Sequence, residues 1–179
     1  MFKYRVPKAI LLTVPYTGTT FTKALLQHST AYIPDAHWTD SIVSEQWSKI
    51  KLRKIIVTAR DPYLCAIRYI KTNAKTPIED AAAEWNTMLN KIKEVDHFVF
   101  NINCPESKRH EHAIALFKFV NADAPCKIDS FVHKWQAENV STSTHKTEYL
   151  MTGNLPEGYD WKLLDRAVRW HKNLLTNNA

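Results

Sequence analysis

The stretch Thr13-Val14-Pro15-Tyr16-Thr17-Gly18-Thr19-Thr20-Phe21 sets hydroxyl-bearing residues and a glycine between an apolar run, Ala9-Ile10-Leu11-Leu12, and a helix-like pattern. A strand–loop–helix junction offers an anion unpaired backbone N–H groups in the first helical turn, together with the positive end of the helix dipole. Gly18 lets the backbone approach a ligand closely, and Thr19 and Thr20 add hydroxyl donors. The pattern is not a G-x-x-x-x-G-K-[ST] loop: with Gly18 as the second glycine, Thr13 replaces the first and Thr19 the lysine. The competing interpretation is a tight turn with a threonine N-cap. A second candidate is VTARDPYLCAIRYIK, residues 57 to 71. Arg60 ends a buried-strand pattern, Asp61-Pro62 opens a helix, and Arg68 lies about two turns into it. Two guanidiniums can then converge on one phosphate, for which arginine's planar fork is suited. Alternatively Arg60 pairs with a carboxylate and Arg68 lies on a solvated face. A third candidate is His37 in PDAHWTD, after another short strand pattern. Histidine titrates near neutral pH and suits a general base. Asp35 and Asp40 are the groups placed to orient it, and the competing interpretation is a surface histidine beside an aromatic.

The elements that must hold these residues follow from hydrophobic period. Short apolar runs at 8–14, 31–35, 54–60 and 97–102 predict strands, and periodic segments at 19–29, 40–50, 62 onward, 77–94, 107–121 and 160–175 predict helices. Asp40 or Ser41 is the expected cap of the second helix and Asp61 of the third. The clearest helix is 77–94, where Ile78, Ala81, Ala82, Trp85, Met88, Leu89 and Ile92 repeat at helical spacing. Residues 123–158, rich in Ser, Thr and Asn, show no period. Alternation of strands and helices predicts an α/β single-domain three-layer sandwich over residues 1–179, with a mainly parallel sheet and helices on both faces. Ligands of such sheets bind at the carboxyl ends of the strands, where the first two candidate loops lie.

Composition narrows the classes. The chain has 179 residues, 45% of them hydrophobic, and a net charge of +6, which suits an anionic ligand. Cys65, Cys104 and Cys126 are too few and too scattered for a disulfide framework or a zinc knuckle. With no apolar window of about 18 residues and no secretory pattern at the start, a cytoplasmic protein without membrane insertion is expected. Trp38, Trp47, Trp85 and Tyr63 are scattered, which argues for core positions rather than a nucleic-acid platform. His110 and His112, two apart, cannot face one metal from a helix.

The two loops together resemble the sulfotransferase family that uses 3′-phosphoadenosine 5′-phosphosulfate (PAPS), a family of P-loop-like fold. VPYTGTTF is similar to its first signature, Y-P-K-S-G-T-T-W, in the proline, the glycine, both threonines and the final aromatic. TARDPYLCAIRYI is similar to its second, V-x-R-[ND]-P-x-x-x-A-x-S-x-Y, at Arg60, Asp61, Pro62, Ala66 and, near the end, Tyr69. FVFNINCPESKRHEHAIALFKFVN resembles the strand, loop and helix that follow, so the resemblance covers roughly residues 8 to 122. It implies that Thr17, Gly18, Thr19 and Thr20 bind the 5′-phosphosulfate, that Phe21 stacks near the adenine, and that Arg60 binds the 3′-phosphate. Arg68 takes the place of the family's phosphate-binding serine.

The departures bear on chemistry. Tyr16 replaces the lysine at the leaving oxygen, and a phenol donates one hydrogen bond without positive charge. Lys23 is a possible substitute cation, and Lys146 in STHKTEY is the nearest match to a late R-K-G phosphate motif. The base the resemblance implies is His37, with Asp35 where a lysine is usual. The expected function is sulfuryl transfer from PAPS to a hydroxyl or amine acceptor that the sequence does not name, without a metal and with adenosine 3′,5′-bisphosphate as product. The alternatives are a catalytically altered nucleotide-binding module and a nucleotide kinase-like phosphotransferase. The latter is weakened by the missing lysine and by the lack of a strand-end aspartate in KIIVTAR.

Overall fold

The computed structural model describes residues 9–27, 33–38, 45–72, 75–124, 128–130, 132 and 144–177. Four strands, β1 (Ala9–Thr13), β2 (Asp35–His37), β3 (Lys54–Ala59) and β4 (His97–Asn101), form a parallel sheet in the order β2-β1-β3-β4. Side chains of successive residues face opposite sides of a sheet, and here both sides are covered. Ile10, Leu12, Val14, Ile55 and Val57 join one buried cluster, whereas Ala9, Leu11 and Ile56 join the other. Continuous apolar runs rather than alternating ones are the signature of strands buried on both faces.

One face is covered by α1 (Thr19–Leu26) and α5 (Arg109–Phe119), through Phe21 and Leu25 from the first and Ala113, Leu116 and Phe117 from the second. The other is covered by α3 (Pro62–Lys71), α4 (Pro77–Lys91) and α7 (Asp165–Asn177). All seven apolar residues predicted for the face of α4 are buried, and a truncation such as Trp85→Ala removes about 3–5 kcal/mol of packing. Asp61 caps α3 as expected, accepting from the Tyr63 backbone N–H at 2.9 Å, with Pro62 in the first turn. Trp38, Trp47 and Trp85 lie in the core, with exposures of 1%, 7% and 1%, so they provide no stacking platform.

Three departures from the expectation bear on the site and its surroundings. The second strand is Asp35–His37 rather than 31–35, because its register pairs these residues with Leu11–Thr13; residues 31 and 32 lie outside the described residues. Of the predicted helix at 40–50, α2 (Trp47–Ile50) is described, and the candidate caps Asp40 and Ser41 lie outside. The segment 123–158 contains a helix that no periodicity signalled, α6 (Thr144–Thr152).

Candidate functional site

The carboxyl ends of β1, β2 and β3 open onto a cavity of about 710 Å³, whose wall includes Tyr16, Gly18, His37, Arg60, Arg68 and Lys146. The loop after β1 forms its floor. Thr17 is fully buried; its hydroxyl bonds the Val14 carbonyl at 2.5 Å and the Thr58 hydroxyl, which ties the loop to β3. It therefore does not line the cavity. Gly18, with φ +98, starts α1, and a Cβ at this position would overlap the Ile102 side chain. The close approach that requires glycine is thus to the end of β4. Thr19 lines the cavity while donating to the Thr13 hydroxyl at 2.9 Å, and Thr20 is exposed on the cavity wall. Phe21 is 7% exposed and stacks on Phe100 at 6.3 Å, so its ring belongs chiefly to the core beneath the cavity wall.

Tyr16 adopts a left-handed backbone, φ 66, which costs about 1–3 kcal/mol for a non-glycine residue. Its surroundings hold it there. The carbonyl faces the Arg60 guanidinium at 3.5 Å and the Cys65 thiol at 3.6 Å. The ring meets Tyr69 edge-on at 5.3 Å, and the Arg68 guanidinium lies over it at 5.9 Å. Tyr16 thereby positions Arg68 toward the cavity. Burial pushes the Cys65 thiol up to about 12, so it is no nucleophile.

Three cations share one side of the cavity. Among the described residues no carboxylate pairs with Arg60, Arg68 or Lys146, and the buried Arg60 Nε lacks a hydrogen-bond partner. Lys146 reaches this side from α6 and is 6% exposed. Burial, then Arg60 and Arg68, lower its pKa to about 8. Tyr149, one turn along α6, donates to the Asp61 carboxylate at 3.0 Å and fastens the helix to the start of α3. Three cations held together without counter-ions are costly in the empty state and become favourable when an anion arrives.

The opposite side is self-satisfied. Lys23 pairs with Asp35 at 2.8 Å, so it is not a spare cation, and Asp35 does not orient His37. That role falls to Thr13. The His37 Nδ1 lies 3.0 Å from the Thr13 hydroxyl and 3.2 Å from the Thr13 carbonyl. A carbonyl only accepts, so in the tautomer protonated on Nδ1 this contact is a hydrogen bond and Nε2 keeps a lone pair. His37 is exposed on the cavity wall. Asp40 lies outside the described residues. His112 is a structural histidine: its Nε2 accepts from the Asn101 backbone N–H at 2.9 Å, and burial lowers its pKa to about 4.

Of the predicted site residues, Tyr16, Gly18, Thr19, Thr20, Phe21, His37, Arg60 and Arg68 all meet this one cavity, and Thr17 supports it from below. Sequence reasoning gave Lys146 only a marginal place and missed Thr13 and Tyr149. Thr13 carried a signal, as a polar residue at the carboxyl end of an apolar strand. Tyr149 carried none.

No protein-family model and no curated protein matches this sequence. In three dimensions the chain has a sulfotransferase-like fold. It is similar to the crystal structure of mouse sulfotransferase SULT7A1 complexed with PAP, with a TM-score of 0.51 and 12% sequence identity, over 99% of this chain and 87% of that one. At that identity the likeness is one of fold.

Proposed function

We propose that the protein binds adenosine 3′,5′-bisphosphate-type nucleotides and transfers a sulfuryl group from PAPS to a hydroxyl or amine acceptor. The observation that carries this reading is the set of unpaired cations, Arg60, Arg68 and Lys146, facing the glycine-threonine loop across one cavity. In this reading the N-terminus of α1, with Gly18, Thr19 and Thr20, receives the 5′-phosphosulfate, and the three cations receive the 3′-phosphate. The acceptor oxygen or nitrogen attacks sulfur in line, and the bond from sulfur to the bridging phosphate oxygen breaks. The acceptor proton passes to His37 Nε2. Tyr16 supplies at most a hydrogen bond to the leaving oxygen, so positioning carries most of the catalysis. No step calls on a metal.

Calorimetry with adenosine 3′,5′-bisphosphate and AMP tests the binding. The bisphosphate is expected to bind more tightly, and Arg60→Ala should remove that preference at a cost of about 1.5–3 kcal/mol, typical of a charged hydrogen bond. Equal affinities for the two nucleotides in the unaltered protein would sink the assignment. Transfer of labelled sulfate from PAPS tests the chemistry. Tyr16 in the lysine position favours a second reading, a nucleotide-binding module without transfer, and tight binding with no labelled product at any acceptor would select it.

A further inference from the structure

Lys146 differs from Lys23, the other lysine on the cavity wall. Lys23 is held as an ammonium by Asp35 at 2.8 Å, with 40% of its side chain exposed. Lys146 is 6% exposed and has no carboxylate partner among the described residues. Its charged neighbours in the cavity, Arg60 and Arg68, are both positive. A lysine that is desolvated beside other cations is the usual arrangement of an amine nucleophile. The same two guanidiniums have no carboxylate partner among the described residues and can donate to a phosphate, and the cavity volume of about 710 Å³ accommodates a small-molecule ligand.

We propose that Lys146 is a nucleophilic amine and that the cavity captures phosphate-bearing aldehydes as a reversible imine. Arg60 and Arg68 hold the phosphate and bring the carbonyl carbon to Nζ. The neutral amine adds to that carbon; the carbonyl oxygen then leaves as water with the two amine protons, and a C=N bond replaces C=O. No oxidant or reductant is consumed. With a pKa of about 8, Lys146 holds about a hundredfold more neutral amine at pH 8 than an ordinary lysine. Lower basicity, and the pull of the bound phosphate toward the ammonium form, offset part of that gain, so a rate advantage of about tenfold is expected.

The site requires no use of the nucleotide assigned above, and one experiment separates the two ideas. The intact protein is treated at pH 8 with pyridoxal 5′-phosphate, reduced with borohydride, digested, and its labelled lysines are quantified by mass spectrometry. Lys146 should be modified about tenfold faster than Lys23, pyridoxal without its phosphate should lose that selectivity, and Lys146→Arg should remove the fast-labelled peptide. Labelling of Lys146 no faster than Lys23, or equally fast with pyridoxal, overturns the proposal. Adenosine 3′,5′-bisphosphate added as a competitor should protect Lys146. Fast labelling without protection would leave the imine site standing and count against the nucleotide reading.

Discussion

On the β2 side of the cavity, Lys23 has Asp35, His37 has Thr13, and Thr19 has Thr13 in turn. On the β3 side, Arg60, Arg68 and Lys146 have no carboxylate among the described residues. Both sides belong to one cavity, yet only the second lacks something. Paired groups hold a geometry whether or not a ligand is present, which suits a base that must be aimed. Unpaired cations store repulsion that an anion relieves, which suits a binding site. In the sulfuryl-transfer reading proposed above, the paired side would supply the base and the unpaired side the hold on the nucleotide.

Replacing His37 breaks the first half of that division and should have the largest effect. His37→Gln keeps a polar side chain at the edge strand but cannot accept the acceptor's proton. Sulfuryl transfer should fall by about 10²–10⁴, the usual contribution of a general base, while the affinity for adenosine 3′,5′-bisphosphate changes by no more than about twofold. Transfer of labelled sulfate and calorimetry on the same preparation give both numbers. A loss that appears in affinity instead would mean that the paired side binds, and the division would be wrong.

Replacing Lys146 sharpens the second half, because its effect should depend on pH. In the empty protein Lys146 loses its proton near pH 8, through burial and then the repulsion of Arg60 and Arg68. A bound phosphate dianion favours the charged form, so binding takes up a proton and affinity falls as pH rises from 7 to 9. Stability of the unliganded protein moves the other way. The unfolded chain, in which the lysine has its ordinary value of 10.5, holds more protons between that pH and about 8, so stability rises over the window. Lys146→Met should weaken nucleotide binding roughly 10- to 100-fold at pH 7 and flatten the pH profile, so that the gap between variant and parent narrows as pH rises through 9. Parallel profiles would show that Lys146 is not the titrating cation.

How much of this was legible in the sequence follows from where the information lies. The sheet was readable because residues 9–12 and 55–57 are apolar on both faces. The α4 face was readable because seven apolar residues keep helical spacing over four turns. Tyr16, Gly18, Thr19 and Arg60 were readable because they follow strand ends, where a parallel sheet presents its ligand groups, and Arg68 because it lies two turns into the helix that opens at Asp61-Pro62. What failed was pairing. Asp35 stands two residues from His37 and was a natural orienting group, but alternate residues along a strand do not bond one another, and Asp35 pairs with Lys23 of α1 instead. Gly18, expected to serve a ligand, does line the cavity, but the sequence did not show the second constraint on it, the side chain of Ile102, which is 84 positions away in the chain. Lys146 was nearly lost because α6 exposes Leu150 and Met151 and so has no apolar stripe. Its function-bearing face holds a lysine and a tyrosine, which no hydrophobic period reports.

The smallest predicted effect tests how Lys146 is held against the arginines. Asp61 accepts from the Tyr63 backbone with one oxygen and from the Tyr149 hydroxyl with the other, at 2.9 and 3.0 Å. The rings of Tyr63 and Tyr149 meet edge-on at 5.9 Å, and Tyr63 meets Trp161 in the same way at 5.9 Å. These contacts fix one face of α6 against the start of α3, and Lys146 lies on that face one turn before Tyr149. Tyr149→Phe keeps the ring contacts and removes only the O–H. Losing one hydrogen bond of this kind costs about 1 kcal/mol, or roughly fivefold in nucleotide affinity at pH 7 if α6 then samples other positions. In the Lys146→Met background the same change should have almost no effect on affinity, because the hydroxyl acts through the lysine it positions. Calorimetry on the four proteins of this cycle decides the point. If the two substitutions simply add, the Tyr149–Asp61 contact stabilises the fold without placing Lys146, and the unpaired side of the cavity is held by α3 alone.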